Sequence, residues 1–259
     1  MLGHRTIGRI VGAAFDPRHY KALIQIGLKS GAPAEVLRRY LSGAGSYPYS
    51  CGVKTPLGLI RPTLYTYWDL LTLNEIFFRD DYPADAADQV VVDFGSNIGL
   101  SALYFLTRSA GTRCYMFEPD PRNIERLTAN LLAFTSRSTL EPSAVSDVAG
   151  TAQFGLDVTS GRYGGLGRDF GHLISVRCVA VNDVLGSILS REGTIDILKI
   201  DVEGTEEKIL NAIEPKHLSR IRKIYMEALP NTQFHPDQFD QEKSGTVCRL
   251  INKSLPPRT

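Results

Sequence analysis

The chain is poor in residues that fix a fold by covalent or metal chemistry. Its 259 residues include four cysteines, Cys51, Cys114, Cys178 and Cys248, whose spacing fits neither a zinc pattern nor a small disulfide framework. Cys114 and Cys178 fall in apolar, strand-like runs, so the thiols read as reduced core residues, and reduced thiols point to a reducing compartment. Excess charge is missing too. A net charge of +1 leaves no broad basic face of the kind nucleic acid requires. No apolar run approaches the length of a membrane span, and the apolar stretch at the start ends at Asp16, short of a secretory signal core. No repeat or low-complexity tract interrupts the chain. The expectation is a soluble, cytoplasmic protein with no transmembrane segment and no nucleic-acid partner.

Hydrophobic residues make up 43% of the chain, enough for a sizeable core. Two regions differ in pattern. Residues 1–85 read as a helical extension with a short hairpin. Helices are expected over Pro17–Ser30, Pro33–Leu41 and Tyr67–Phe78, and a hairpin over Val53–Leu64 turning near Pro56-Leu57-Gly58. In the second helix Val36, Leu37, Tyr40 and Leu41 form one apolar stripe. Hydrophobic helices of this kind make a homodimer reasonable. Residues 86–259 alternate strand and helix. Strands are expected at Val90–Val92, Cys114–Phe117, Ser138–Val145, Ala152–Leu156, Ile174–Val181, Ile195–Val202 and Ile221–Glu227, with helices between. That order implies an α/β fold, a doubly wound, mostly parallel sheet with helices on both faces. A closing antiparallel pair is either abbreviated or drawn in part from Val247–Ile251.

Ligands of open α/β sheets bind beyond the carboxyl ends of the strands, where strand order reverses. Two stretches lie there. The first strand runs into Asp93-Phe94-Gly95-Ser96-Asn97-Ile98-Gly99, a small-residue turn that lets backbone approach a ligand. The next strand ends in Phe117-Glu118-Pro119-Asp120, with Glu118 placed 23 residues after Gly95. An acid at that point can accept two hydrogen bonds from ribose hydroxyls. The loop lacks the G-x-G-x-x-G spacing of a pyrophosphate site, which disfavours a nicotinamide oxidoreductase. Adenosylmethionine has no phosphate and instead needs a partner for its ammonium group, which Asp93 and the loop backbone can supply.

The second stretch is Ile195-Asp196-Ile197-Leu198-Lys199-Ile200-Asp201-Val202-Glu203-Gly204. Strand alternation puts Lys199, Asp201 and Glu203 on one face. Buried charges must be paired or line a cleft, so these three are the candidate catalytic residues. Methyl transfer to a hydroxyl needs alignment and a base. Asp201 or Glu203 is the candidate base. Lys199 tunes a carboxylate, or accepts the proton if its own pKa is depressed. The opposing reading is a structural salt bridge with Glu206 and Glu207 favouring a helix N-terminus. Two carboxylates are too few to argue for Mg²⁺, and no metal is expected.

At this point the chain resembles the FkbM family of methyltransferases. The resemblance lies in Glu75-Ile76-Phe77 with Asp81-Tyr82, Val91 to Gly99, Phe117 to Pro121, Ala144 to Asp147 with Gly150, and Leu198 to Gly204, five motifs in order over residues 53 to 227. It implies a Rossmann-like class I fold and S-adenosyl-L-methionine as methyl donor. It implies as acceptor a hydroxyl on a small molecule, sugar, glycolipid or polyketide-like product. The candidate cofactor contacts become Asp93, Gly95, Ser96, Asn97 and Gly99, Glu118 and Pro119, Asp201, and Ser143, Ala144 and Val145 near adenine. Transfer to nitrogen or carboxyl, and a non-catalytic binding protein on the same fold, remain as alternatives.

Three further readings complete the chain. Residues 155–172 hold six glycines, and the segment reads equally as a lid carrying Arg162, Tyr163, Arg168 or His172 and as a plain connector. Asp69 and Glu75 either close over the methionine end of the cofactor or form the polar face of a helix. His4, His19, His217 and His235 sit in polar surroundings, are expected to be exposed, and are given no role.

Overall fold

A computed structural model describes residues 17–156, 164–167, 171–227 and 233–255. The chain divides into two compact units, Met1–Pro83 and Ala84–Thr259. Among the described residues no helix is long and apolar enough to cross a membrane.

The first unit opens with α1 (Pro17–Lys29) and α2 (Pro33–Ser42). Pro33 starts α2 because its missing N–H is not needed there, and Gly43 stops it at φ 68, donating its N–H to Arg39 O. The expected stripe on α2 is altered. Leu41 is exposed, while Arg39 is buried with its guanidinium 4.0 Å from the Tyr49 ring. An arginine can bury its stem and stack its planar head on an aromatic face, whereas the stripe counted apolar letters only. Two small antiparallel pairs follow, β1 (Tyr49–Ser50) with β4 (Thr63–Leu64), and the hairpin β2 (Val53–Thr55) with β3 (Gly58–Ile60). Next, α3 (Tyr67–Leu73) begins in a capping box, with Asp69 accepting from the Tyr65 and Thr66 amides. Asp69 therefore serves its own helix. The expected helix then widens to a π-helical turn over Asn74–Arg79, where Glu75 pairs with Arg79 at 3.7 Å.

The second unit is built on a seven-stranded sheet. Its strands are β5 (Val90–Phe94), β6 (Arg113–Phe117), β7 (Ser138–Glu141), β12 (Ile195–Ile200), β13 (Ile221–Glu227), β14 (Phe239–Ser244) and β15 (Val247–Asn252). The spatial order is β14-β15-β13-β12-β5-β6-β7, with β15 antiparallel to its neighbours and the remaining pairings parallel. The chain winds outward from β5 to β7 and then returns to β12 on the other side. The reversal point lies between β5 and β12. Every residue of β5 and β12 is buried, as expected for parallel strands covered on both faces. On one face α6 (Val181–Glu192) and α7 (Glu206–Ala212) pack Leu185, Ile188 and Ile209 against Val92, Leu198 and Ile224. On the other face α4 (Leu100–Leu106) is buried at every position and contacts β5, β6 and α5 (Pro121–Asn130). The sheet is doubly wound, in keeping with the expected fold class.

Three expectations change. Ser138–Val145 is not one strand. It splits at Pro142 into β7 and β8 (Ala144–Ser146), because a proline cannot donate to a ladder. The second piece joins a separate four-stranded sheet of order β10-β9-β11-β8, with β9 (Gly150–Leu156), β10 (Gly164–Leu166) and β11 (Leu173–Ala180). The closing pair is complete, β14 and β15 forming a six-residue hairpin ladder on β13. His217 is buried in α8 (Pro215–Leu218), with Nδ1 3.1 Å from Asn182 Oδ1, and not exposed. Of the six-glycine segment, Gly164–Leu166 pairs back onto β9 and His172 is exposed. Arg162, Tyr163 and Arg168, like His4, lie outside the described residues.

Candidate functional site

The carboxyl ends of β5, β6 and β12 converge at the reversal point. The loop after β5 is held by its own backbone. Gly95 and Ser96 both donate to Phe117 O, at 3.0 and 3.1 Å, and Gly99 donates to Ser96 O. Ser96 Oγ donates to Asp93 O, and Asn97 stands at φ 49 with its side-chain oxygen accepting from Ile98 N. Asparagine tolerates the left-handed region better than most residues.

The two glycines have defined reasons to be glycine. A β-carbon at Gly95, where φ is 77, would lie 1.8 Å from Asp201 O. At Gly99 it would lie 3.1 Å from Leu127 Cγ. The close approach at Gly95 is thus to the chain leaving β12, and at Gly99 to α5. Both glycines are thus required by packing within the protein.

Glu118 joins two loops. Its carboxylate accepts from Asn97 N at 2.8 Å and from Asp120 N at 2.9 Å, and the residue is buried. Burial pushes its carboxyl up to about 7, against the opposing pull of the Asp120 and Asn97 amides. Pro119, half-buried, holds the turn between Glu118 and the Asp120 cap of α5.

The charged group after β12 is a trio. Lys199 Nζ lies 3.0 Å from Asp93 Oδ1, 3.1 Å from Asp201 Oδ2 and 3.2 Å from Gly95 O. Burial works against the ammonium, yet the Asp201 and Asp93 carboxylates outweigh it and raise its pKa. The direction of that shift is opposite to the depressed pKa on which a proton-accepting Lys199 depends. Asp93 is fully buried, with its other oxygen accepting from Ser101 Oγ. Both oxygens are engaged inside the protein, and through them Asp93 positions Lys199. Asp201 is the member that reaches solvent, with 26% of its side chain exposed.

Glu203 departs from the expected shared face. The strand ends at Ile200, and Glu203 sits in the following turn at φ 60, where strand alternation no longer applies. That turn is pinned by Glu206, whose carboxylate accepts from Val202 N and Gly204 N. Glu206 is a buried loop tie and the first residue of α7. Ser143, Ala144 and Val145 are all buried, and Ser143 Oγ is a buried hydroxyl without a hydrogen-bond partner among the described residues.

Two contributors escaped the sequence reading. Ser101 is the one polar residue of α4, and that isolation was its signal. Asn123, 3.5 Å from Glu118 Oε1, gave none. A separate cleft of about 480 Å³ lies among β6, β7, β11 and α6, lined by residues such as Tyr115, Arg177, Asp183 and Arg191, and includes none of the candidate site residues.

The family model described as Methyltransferase FkbM domain matches residues 93–244. The chain is 28% identical over 169 residues to the 31-O-demethyl-FK506 methyltransferase FkbM of Streptomyces tacrolimicus, covering 53% of this chain and 64% of that protein. It is 27% identical over 209 residues to the AMB antimetabolite synthetase AmbE of Pseudomonas aeruginosa, covering 65% of this chain and 10% of that protein. The chain thus spans less than two thirds of either relative. A crystal structure of a methyltransferase FkbM from Methylobacillus flagellatus aligns with TM-score 0.46 at 16% identity, covering 90% of this chain and 59% of that one.

Proposed function

The chain belongs to the FkbM methyltransferase family, and from that premise we propose that it is an adenosylmethionine-dependent O-methyltransferase. Its acceptor is a hydroxyl on a small molecule, sugar, glycolipid or polyketide-like product. The observation that carries this reading is Glu118, a buried carboxylate tied to two loop amides at the reversal point of the sheet. Its oxygens keep acceptor capacity beyond those two bonds and the longer one from Asn123, which suits a ligand with vicinal hydroxyls. The unpartnered Ser143 hydroxyl suits a nitrogen-rich aromatic base, with Ala144 and Val145 as its apolar surroundings. The partly exposed Asp201 suits an ammonium group. These donors and acceptors fit adenosylmethionine.

When bound, adenosylmethionine supplies an electrophilic methyl group on a sulfonium. The residues do the rest. Glu118 and the Gly95–Gly99 backbone fix one end of the donor. Asp201, held in place by Lys199, meets its ammonium. Glu203 is the assigned proton acceptor for the acceptor hydroxyl. Its left-handed backbone is costly for a non-glycine residue, and such strain is retained where function needs it. The net −3 charge of the chain after Pro83, from nineteen Lys and Arg against twenty-two Asp and Glu, disfavours a polyanionic acceptor for this unit.

The test is calorimetric titration with adenosylmethionine and with NAD(H), repeated on Glu118→Gln. Adenosylmethionine binding that is weakened in the variant, with none for NAD(H), supports the reading. Absence of adenosylmethionine binding by folded protein overturns it. Transfer of a labelled methyl group to candidate acceptors then separates the products. A methyl ether survives mild base, whereas a carboxyl methyl ester is released.

A further inference from the structure

Ser101 directs its hydroxyl away from its own helix. A serine or threonine in a helix commonly donates to a carbonyl one turn back. Thr107, at the end of α4, does so, with Oγ1 donating to Leu103 O at 2.7 Å. Ser101 Oγ instead donates to Asp93 Oδ2 on β5 at 2.5 Å. A hydroxyl-to-carboxylate bond of that length is charge-assisted and among the stronger kinds.

That bond is the first link of a chain through three elements. Asp93 Oδ1 lies 3.0 Å from Lys199 Nζ on β12, and Nζ lies 3.1 Å from Asp201 Oδ2 just beyond that strand. Ser101, Asp93 and Lys199 are 4%, 0% and 2% exposed. The chain therefore opens to water at Asp201, whose side chain is 26% exposed. Lys199 sits between two carboxylates that compete for its ammonium. A carboxylate free to turn can offer both oxygens to one cation. The Ser101 hydroxyl occupies one oxygen of Asp93 and leaves the other for Lys199, so the ammonium is shared with Asp201. Two carboxylates against one ammonium also leave one negative charge in excess. Such a charge is costly unless paired, and a ligand cation at the Asp201 end would pair it.

We propose that Ser101 is a positioning residue for the ammonium group of the methyl donor. By limiting Asp93 to a one-oxygen contact it keeps Lys199 on Asp201, and so keeps Asp201 fixed where the donor's amino-acid tail binds. The proposal rests on the reading of Asp201 given above. A carboxylate fixed in advance binds its partner without a further cost of ordering.

The test is calorimetry with two probes. S-adenosylhomocysteine carries the donor's amino-acid tail, whereas methylthioadenosine has the adenosine and thioether without the tail. Both are titrated into the native protein, Ser101→Ala, Asp201→Asn and the double variant, with melting followed in parallel. Ser101→Ala should weaken adenosylhomocysteine binding about fivefold or more, leave methylthioadenosine binding within about twofold, and add no loss in the Asp201→Asn background. Equal weakening of both probes overturns the proposal, because it marks a general loosening of the fold. Additive losses in the double variant overturn it, because Ser101 then acts by another route. Unchanged or tighter adenosylhomocysteine binding in Ser101→Ala overturns it as well. Native protein that binds neither probe overturns the adenosylmethionine reading itself. Native protein that binds both equally well keeps that reading and overturns this one. Should Ser101→Ala fail to melt cooperatively, Ser101→Cys, which keeps the volume with a weaker donor, carries the same comparison.

Discussion

Gly95 has no room for a side chain, since its β-carbon would lie 1.8 Å from the Asp201 carbonyl and its φ is 77. Gly95→Ala should lower stability by about 2–4 kcal/mol, from overpacking together with a left-handed backbone. Urea denaturation checks this, and an unchanged midpoint would contradict the packing argument. Glu118 sets a pH effect. Its pKa rises from 4.5 to about 7 in the fold, mainly through burial. A raised carboxyl pKa contributes stability that is fully present below 4.5 and is lost as pH rises through 7. Glu118→Gln should therefore flatten the fall in stability between those limits, by an amount on the order of 3 kcal/mol. Ionisation also makes the group a better acceptor for hydroxyls. Adenosylmethionine affinity should accordingly strengthen in the native protein as pH rises through 7, and calorimetry across that range measures it. The spacing of Glu118 after Gly95 was readable from the sequence because strand, turn and acid recur at a fixed separation. What fills the space at Gly95 was not, since it depends on a backbone more than a hundred residues away.

At the scale of elements, the trio of Asp93, Lys199 and Asp201 fastens β12 to β5. Lys199→Met would leave Asp93 buried without its cation, a loss of about 3–5 kcal/mol. Thermal unfolding measures it, and a cost near zero would mean that the buried pair adds nothing. Glu206 does the same job for the turn after β12, so Glu206→Gln should speed hydrogen exchange at the Val202 and Gly204 amides. Core elements were legible from their periodicity. β13 occupies Ile221–Glu227 as expected, and the starts of α1, α2 and α5 coincide with prolines. Elements failed where one residue outweighed the pattern. Pro142 divides a run that otherwise reads as one strand, and Arg39 takes an inward position that an apolar stripe assigns to Leu41. The β14–β15 hairpin was hard to read because β14 is Phe239-Asp-Gln-Glu-Lys-Ser244, a polar edge strand with one buried residue. Charged edges resist unwanted pairing and so carry little hydrophobic signal.

For the molecule as a whole, the hairpin covers what would be the open edge of β13. Ending the chain at Asp237 would expose Ile224 and Met226, both fully buried, and the product should be recovered as aggregate; soluble, cooperatively melting protein would count against this. All four cysteines are free and buried, and burial pushes Cys51 up to about 12 and Cys248 up to about 11. Native protein should react slowly with a thiol reagent and fully only in denaturant. The order of strands has a consequence for synthesis. β5 is made early and gains β6 soon after, but its other neighbour, β12, begins only after 100 intervening residues have been added. At bacterial and eukaryotic elongation rates that gap lasts about 5–20 s. Throughout it one edge of the central strand has no partner, Asp93 waits for its lysine, and the intervening four-stranded sheet has time to form first. A nascent chain of this kind is exposed to misassembly during translation and not afterwards, so the speed at which ribosomes traverse residues 95–194 should influence its yield.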